Sequence, residues 1–334
     1  MPEPFREGDF VESVEGYIFD VKGLIHPPDR VVAYVRYVPC ELGERARNGS
    51  KYRKIYDLSD RYDFLRKTQP TYIVSDPVFG DEIIEVPRNK IVRHYEPKRM
   101  ARRLLRKAVT PLEKKTAEMI SRISEAASVS IESFGVSGSL LIGLPGPGSD
   151  MDIVVYGSAS CNRVRYELRD LLSKDDDFKP YGEEKIRELY EQRQRETGIS
   201  YEDYAKCERR KDFQGLFKGT DFFVRYVKEA SETFEEYGST LYSRLGYGRL
   251  EAVVTDDCEV IFTPCTYPLR NVEFEGLNVQ PPKEIVSFRG QFCEQARKED
   301  HVIAQGKVEL CKKLNESYTR LILGNTQQDF MIFH

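Results

Sequence analysis

One stretch of this chain contains no charged residue, although charge is dense elsewhere. Asp, Glu, Lys and Arg make up 32% of the 334 residues, against about 25% in an average soluble protein. Residues 133–149 carry none of them, and the tripeptide Asp-Met-Asp follows directly at 150–152. The apolar run Ile-Val-Val-Tyr at 153–156 follows at once and predicts a buried strand. We expect the function to lie in this charge-free window (residues 133–149) and the two carboxylates that close it.

The remaining composition narrows the class of protein. The chain has 51 Lys and Arg residues and 55 Asp and Glu residues, so its net charge is −4. A charge so close to zero excludes attachment to nucleic acid by net charge alone, and it is unlike that of an acidic disordered tail. Apolar residues at 40% are enough for real cores, and the length predicts two or three domains. A mean hydropathy of −0.54 and the lack of a long apolar run predict no membrane span and no membrane partner.

Three weaker features bear on the cellular compartment and on the habitat of the organism. The first ten residues lack the apolar segment of a secretory signal. The seven cysteines are scattered and never form Cys-x-x-Cys, which predicts reduced thiols in the cytoplasm, and the Cys258-x6-Cys265 spacing is poor for zinc. Abundant charges of both signs without tryptophan are typical of a thermophile.

The pattern along the chain is β-rich, then mixed, then β-rich. Periodicity and turn residues predict strands at 10–11, 17–21, 31–38, 72–74, 82–86, 128–134, 153–156, 220–227, 251–255, 260–263, 272–274 and 318–323. Helices are predicted at 60–68, 98–107, 111–127, 161–174 and 182–215. The third of these opens with a capping box, Thr110 and Glu113, and with Pro111 at its first position.

The charge-free window and its carboxylates suit phosphate and a divalent cation. Asp150 and Asp152 share one strand face and repel each other unless a cation or a shared proton offsets them. Mg²⁺ takes one or two carboxylates together with substrate phosphates. Gly138 permits close approach of the backbone, the Ser139 hydroxyl can donate to a phosphate oxygen, and residues 140–144 are expected to start a short helix with N–H groups facing the same anion. Other acidic groups here would repel a triphosphate, and long basic side chains would fill its cleft.

Gly138-Ser139, ten further residues and then Asp150-x-Asp152 resembles the Gly-Ser…Asp-x-Asp signature of the DNA polymerase β-like nucleotidyltransferase superfamily. Residues 20–23 and 26–30 add a likeness, over most of the chain, to archaeal predicted nucleotidyltransferases of uncharacterised function. The resemblance implies an α+β fold. Its mixed-sheet catalytic domain would occupy 96–240, with a β-rich accessory domain at 1–95 and a β-rich domain at 241–334.

The resemblance also implies an activity: transfer of a nucleoside monophosphate from an NTP such as ATP to an acceptor hydroxyl, with release of pyrophosphate. Asp150, Asp152 and a third carboxylate, Asp221, would hold two Mg²⁺ ions about 3.5–4 Å apart, with Mn²⁺ as an alternative. Asp221 precedes an apolar strand, although Thr220 stands where the family usually has an apolar residue. Ser139 would bind the triphosphate, and Gly138 and Ser149 of the same turn would also be nucleotide-binding residues.

Two basic clusters have alternative interpretations. Lys211 and Lys218 precede Asp221, and with Arg225 they are candidates for a triphosphate clamp; the alternative for the run is a solvated helix face. The basic helix at 98–107 is either solvated or a nucleic-acid contact. A second function therefore stays open, a nucleic-acid- or nucleotide-binding module that keeps the fold without turnover. The acceptor (RNA, protein or small molecule) and the oligomeric state are not fixed by the sequence.

Overall fold

The structure, a computed structural model, describes residues 4–193, 198–233 and 235–334. The chain divides into two compact units. The first contains the chain up to Asp76, Glu82–Lys179 and Gly215–Tyr237, and the second contains Pro77–Asp81, Pro180–Gln214 and Gly238–His334. Residues 180–214, predicted to lie in the catalytic domain, thus belong to the second unit together with the C-terminal residues. Within the described ranges, no helix combines the length and the apolar character needed to cross a membrane.

The N-terminal part of the first unit is an eight-stranded sheet, here called the N-terminal sheet. Its strands are β1 (Phe10–Ser13), β2 (Ile18–Val21), β3 (Arg30–Pro39), β4 (Arg45–Arg47), β5 (Ser50–Lys54), β6 (Ile73–Asp76), β7 (Asp81–Pro87) and β8 (Ile91–Tyr95). Their order is β4-β5-β3-β2-β1-β8, with β7 paired to both β3 and β6. Helix α1 (Leu58–Thr68) connects β5 to the β6–β7 pair. The predicted strands at 10–11, 17–21, 31–38 and 82–86 and the helix at 60–68 are confirmed within a few residues.

Strand β3 contains an irregularity that matters for the site. Ile18 of β2 lies opposite Tyr37, but the next residue, Phe19, lies opposite Val35. Arg36 is therefore the extra residue of a β-bulge, a feature that turns a side chain away from the regular alternation of the strand.

The rest of the first unit is a five-stranded mixed sheet with helices, here called the central sheet. Its elements are α2 (Pro97–Arg106), α3 (Pro111–Ala126), β9 (Phe134–Val136), α4 (Gly138–Leu141), β10 (Met151–Tyr156), α5 (Ser158–Lys174), β11 (Phe178–Lys179), β12 (Gln214–Phe217) and β13 (Thr220–Val227). The strand order is β11-β12-β13-β10-β9. Strands β10 and β13 run parallel, whereas β9 is antiparallel to β10. The predicted α+β class is therefore confirmed for this part.

Local chemistry explains where these elements begin. The Thr110 hydroxyl accepts a hydrogen bond from the Glu113 amide, and the Glu113 carboxylate accepts from the Thr110 amide in return, so the predicted capping box starts α3. The predicted strand at 128–134 is wrong, because the Ser130 hydroxyl caps a 3₁₀ turn at Ile131–Ser133 and β9 begins only at Phe134. The short helix of the charge-free window also begins earlier than predicted, at Gly138.

The second unit combines two helices with a six-stranded sheet. Its elements are α6 (Glu183–Arg193), α7 (Tyr201–Glu208), β14 (Leu241–Val254), β15 (Cys265–Glu275), β16 (Glu284–Ser287), β17 (His301–Lys312), β18 (Ser317–Leu323) and β19 (Phe330–Phe333). The order is β14-β15-β16-β18-β17-β19, and a further pairing of β14 with β17 makes a closed circuit of five strands. The predicted strand at 260–263 is wrong. Val260, Ile261 and Phe262 are buried, but they lie in a turn before β15.

Candidate active site

Gly138 and Asp152 are in direct contact at the centre of the site. Gly138 has a φ of +59°, and a Cβ built on it would lie 1.7 Å from Oδ2 of Asp152. A side chain at position 138 is therefore incompatible with the present position of this carboxylate. The backbone holds the pair in register, because the Ser137 amide donates to the Asp152 carbonyl oxygen at 2.8 Å.

Hydrogen bonds within the charge-free window fold it into a compact turn. The Ser137 hydroxyl donates to the Gly8 carbonyl oxygen at 2.6 Å. The hydroxyls of Ser139 and Ser149 lie 3.2 Å apart, and the Gly146 amide donates to the Ser149 hydroxyl at 2.9 Å. The two serines predicted to contact the nucleotide are thus brought together, on the turn that leads directly into Asp150.

Strand register places the third predicted carboxylate on the same face as the first two. In the parallel pair of β10 and β13, Asp152 lies opposite Phe223 and Val154 lies opposite Arg225. Because side chains alternate along a strand, Asp221 and Arg225 share the face of Asp152. The guanidinium of Arg225 forms an ion pair with Glu7 and also interacts electrostatically with Asp152.

The charge state of Asp152 reflects its surroundings. Burial, and next the negative charge of Asp150, raise the pKa of Asp152 to about 7, while Arg225, Lys54 and Arg36 act in the opposite direction. Near neutral pH a proton thus competes for this carboxylate with any cation that binds there.

The N-terminal sheet supplies basic residues to the site that the sequence analysis missed. The ammonium of Lys54, at the end of β5, interacts electrostatically with both Asp150 and Asp152. The guanidinium of Arg45 donates to the Ser149 hydroxyl at 3.0 Å. No spacing rule links these residues to a motif about one hundred positions later, so only the three-dimensional structure reveals them.

Arg47, in β4 of the N-terminal sheet, forms contacts that hold the same turn in place. Its guanidinium forms an ion pair with Glu12 at 2.7 Å, donates to the Ile142 carbonyl oxygen at 3.1 Å and donates to the hydroxyls of Tyr52 and Tyr95. Around it lies a hydrophobic cluster drawn from the N-terminal sheet and the charge-free window: Phe10, Ile18, Tyr37, Tyr52, Tyr95, Leu141, Ile142 and Leu144.

The two predicted clamp lysines both form ion pairs with carboxylates of the protein. The Lys218 ammonium forms an ion pair with Glu118 and lies 3.8 Å from Asp177. Lys211 belongs to the second unit, where its buried ammonium forms an ion pair with Glu208 and donates to the Gln291 carbonyl oxygen at 2.6 Å. Each ammonium is thus paired with a carboxylate of its own unit, and the role of the two lysines as a triphosphate clamp stays a prediction.

The basic helix α2 is largely neutralised by acidic partners. Four of its cations form ion pairs with glutamates: Lys98 with Glu229, Arg99 with Glu96, Arg102 with Glu132 and Arg103 with Glu113. This arrangement favours the interpretation as a solvated, ion-paired helix over a nucleic-acid contact.

The donor set fits a cation bound together with substrate phosphates. Across the described residues, no three or more His, Cys, Asp or Glu side chains are grouped closely enough to enclose a metal ion by themselves. Asp150 and Asp152 nevertheless form a carboxylate pair whose repulsion a divalent cation would relieve, and Mg²⁺ commonly completes such a site with phosphate oxygens.

Comparison with known proteins identifies the family to which the chain belongs. A family model for the nucleotidyltransferase domain matches residues 115–214, a range that includes the charge-free window, Asp150 and Asp152. The chain is also 30% identical, over 346 aligned positions and 97% of each sequence, to an uncharacterised protein of Methanocaldococcus jannaschii. No solved structure matches the chain. The protein belongs to the nucleotidyltransferase family, which confirms the resemblance noted in the sequence.

Proposed function

We propose that this protein is an Mg²⁺-dependent nucleotidyltransferase that moves a nucleoside monophosphate from an NTP to an acceptor hydroxyl and releases pyrophosphate. The observation that carries the proposal is the contact between Gly138 and Asp152. A glycine in a left-handed conformation leaves room for a carboxylate that burial and Asp150 drive toward protonation. Such an arrangement costs stability, and a bound cation would offset that cost.

Asp150 and Asp152 would hold the metal. Asp221 shares their face of the sheet but is not grouped with them closely enough to enclose an ion, so it would join them only when substrate phosphates complete the site. Bound Mg²⁺, or Mn²⁺ in its place, would supply charge stabilisation for the phosphates and lower the pKa of the attacking hydroxyl. The protein's own contribution is positioning. Ser139 and Ser149 would orient the triphosphate on the turn, so that the acceptor oxygen and the leaving pyrophosphate lie in line.

The acceptor is proposed only as a class of hydroxyl compounds: RNA, protein or small molecule. The alternative function, a binding module without turnover, draws its main support from the basic helix α2. Because four of its cations are paired with glutamates, we favour the enzyme.

A transfer screen tests this proposal. The protein is incubated with each α-labelled NTP, Mg²⁺ and an extract of the host, and label is measured in the RNA, protein and small-molecule fractions. We expect one fraction to be labelled, and the double variant Asp150→Asn, Asp152→Asn to lower the rate by about a hundredfold or more. Asp176→Asn, at a fully exposed carboxylate, serves as the control and should transfer at the normal rate. Labelling that survives the double variant would refute the site, and no labelling with any NTP would refute the activity.

A further inference from the structure

We propose that the N-terminal sheet completes the donor site, with Lys54 and Arg36 binding the β- and γ-phosphates of the NTP and Arg45 positioning the turn beneath them. This inference rests on the proposed function and adds to it the residues that hold the leaving group. It also gives the N-terminal sheet a direct part in binding the donor.

Lys54 is placed for such a role by strand pairing. It lies opposite Tyr37 in the pair of β3 and β5, and its ammonium lies 4.8 Å from the ring centre of Tyr56 and 5.9 Å from that of Tyr37. Within the part of the chain that the structure describes, no carboxylate oxygen lies within 4.0 Å of this ammonium. Asp150 and Asp152 act on it electrostatically, so the ammonium is influenced by the site without forming an ion pair there.

Arg36 reaches the same place through the bulge in β3. Regular alternation would put Arg36 and its neighbour Tyr37 on opposite faces, but the bulge redirects the arginine. Its guanidinium lies 5.7 Å from the ring centre of Tyr56, the ring that Lys54 also contacts. It interacts electrostatically with Lys54 and with Asp152. Two cations that share one aromatic ring repel each other, and an anion between them would remove that repulsion.

Arg45 connects this basic pair to the charge-free window. It donates to Ser149, and a Cβ on Gly146 would lie 2.1 Å from its guanidinium nitrogen. The glycine therefore allows the guanidinium to rest on the turn. Arg45 also interacts electrostatically with Lys54. Three cations thus lie beside two carboxylates, which is the charge pattern that a metal-bound polyphosphate complements.

Burial at Lys54 agrees with a binding role. Burial and the nearby Arg36 lower the pKa of the Lys54 ammonium to about 8. A neutral side chain of similar length should therefore be tolerated in the folded protein, so that loss of binding and loss of folding can be told apart.

Calorimetric titration with inorganic tripolyphosphate and Mg²⁺ tests the proposal without requiring turnover. The full-length protein is compared with Lys54→Met, Arg36→Gln and the control Lys51→Met. Lys51 lies on the same strand, is exposed and points to the opposite face. We expect Lys54→Met and Arg36→Gln each to weaken binding by about tenfold or more, since each removes a charge-assisted contact to phosphate. Lys51→Met should change the affinity by less than about twofold.

Each outcome decides one of the two proposals. If wild-type protein fails to bind tripolyphosphate, or if Lys54→Met and Arg36→Gln bind it as tightly as wild type with unchanged melting temperatures, the inference is wrong. Unchanged KM for the NTP in both variants would reject it as well, while leaving the transferase activity in place. Conversely, binding that depends on Lys54 and Arg36 in a protein that labels no acceptor would support the inference and reject the proposed function.

Discussion

The Asp152 carboxylate lies directly against the α-carbon of Gly138, where a Cβ would come to 1.7 Å from Oδ2. We therefore predict that Gly138→Ala displaces the carboxylate and abolishes nucleotide transfer. Gly49→Ala is the matched control, because Gly49 also has a positive φ (+82°) but nothing within 4 Å of a Cβ. It should lower the free energy of unfolding by about 1 kcal/mol and leave transfer unchanged. Equal effects of the two substitutions on transfer would show that backbone strain, and not the contact with Asp152, governs the site.

The raised pKa of Asp152 predicts that this residue opposes stability when no metal is bound. Its pKa in the folded protein is about 7, above the ordinary aspartate value of 3.8. The folded state therefore holds the extra proton and loses stability as the pH rises from about 4 to about 7. Asp152→Asn should remove this dependence. In thermal melts with a chelator, the variant should be more stable than wild type at about pH 8 and similar near pH 4.

Added Mg²⁺ and NTP should reverse that order, because ligands that bind only the folded state stabilise it. The melting temperature of the wild-type protein should rise, whereas that of Asp152→Asn should not. An equal rise in the melting temperature of the variant would show that Asp152 takes no part in ligand binding.

A second carboxyl pair, Glu85 and Asp76, should control stability at alkaline pH. Burial and the adjacent Asp76 raise the pKa of Glu85 to about 8, above the ordinary glutamate value of 4.5. The folded protein therefore loses stability as the pH rises from about 4.5 to about 8. Glu85→Gln should be more stable than wild type by roughly 2–4 kcal/mol at alkaline pH, measured by urea unfolding. Glu82→Gln, at a half-exposed position of the same strand, should leave the pH profile as it is; if it flattens the profile equally, Glu85 is not the group responsible.

Arg47 should be needed for the shape of the charge-free window. Its guanidinium and Glu12 form an ion pair with side chains only 12% and 15% exposed, and removing one partner leaves the other buried without compensation. Arg47→Met should lower the free energy of unfolding by roughly 2–3 kcal/mol. Hydrogen exchange of the amides at 142–146 should also quicken. Arg53→Met, at an exposed position in β5, should do neither, and protected amides in Arg47→Met would contradict the proposed anchoring.

Local signals account for the elements that the sequence predicted well. The capping box fixes the start of α3, and the apolar run after Thr220 gives β13 its observed bounds, Thr220–Val227. Where two local signals competed, the prediction failed. Residues 128–134 alternate like a strand, but the Ser130 hydroxyl stabilises a 3₁₀ turn instead.

The basic part of the site could not be predicted from local signals. Lys211 is close to Asp221 in sequence, yet its ammonium is taken up by Glu208. Lys54 and Arg36 are distant in sequence, yet strand pairing and a bulge direct them to Asp152. Burial, register and bulges depend on which segments pack together, and residue spacing along the chain does not encode that.

Binding of Mn²⁺ in the presence of a non-hydrolysable NTP analogue tests the carboxylate site most directly. Electron paramagnetic resonance of free Mn²⁺ gives the bound fraction without any need for an acceptor. We predict saturable binding to wild type, and its loss in the double variant Asp150→Asn, Asp152→Asn with Asp176→Asn unchanged. Equal Mn²⁺ binding by wild type and the double variant would contradict the assignment of these two aspartates as the metal site.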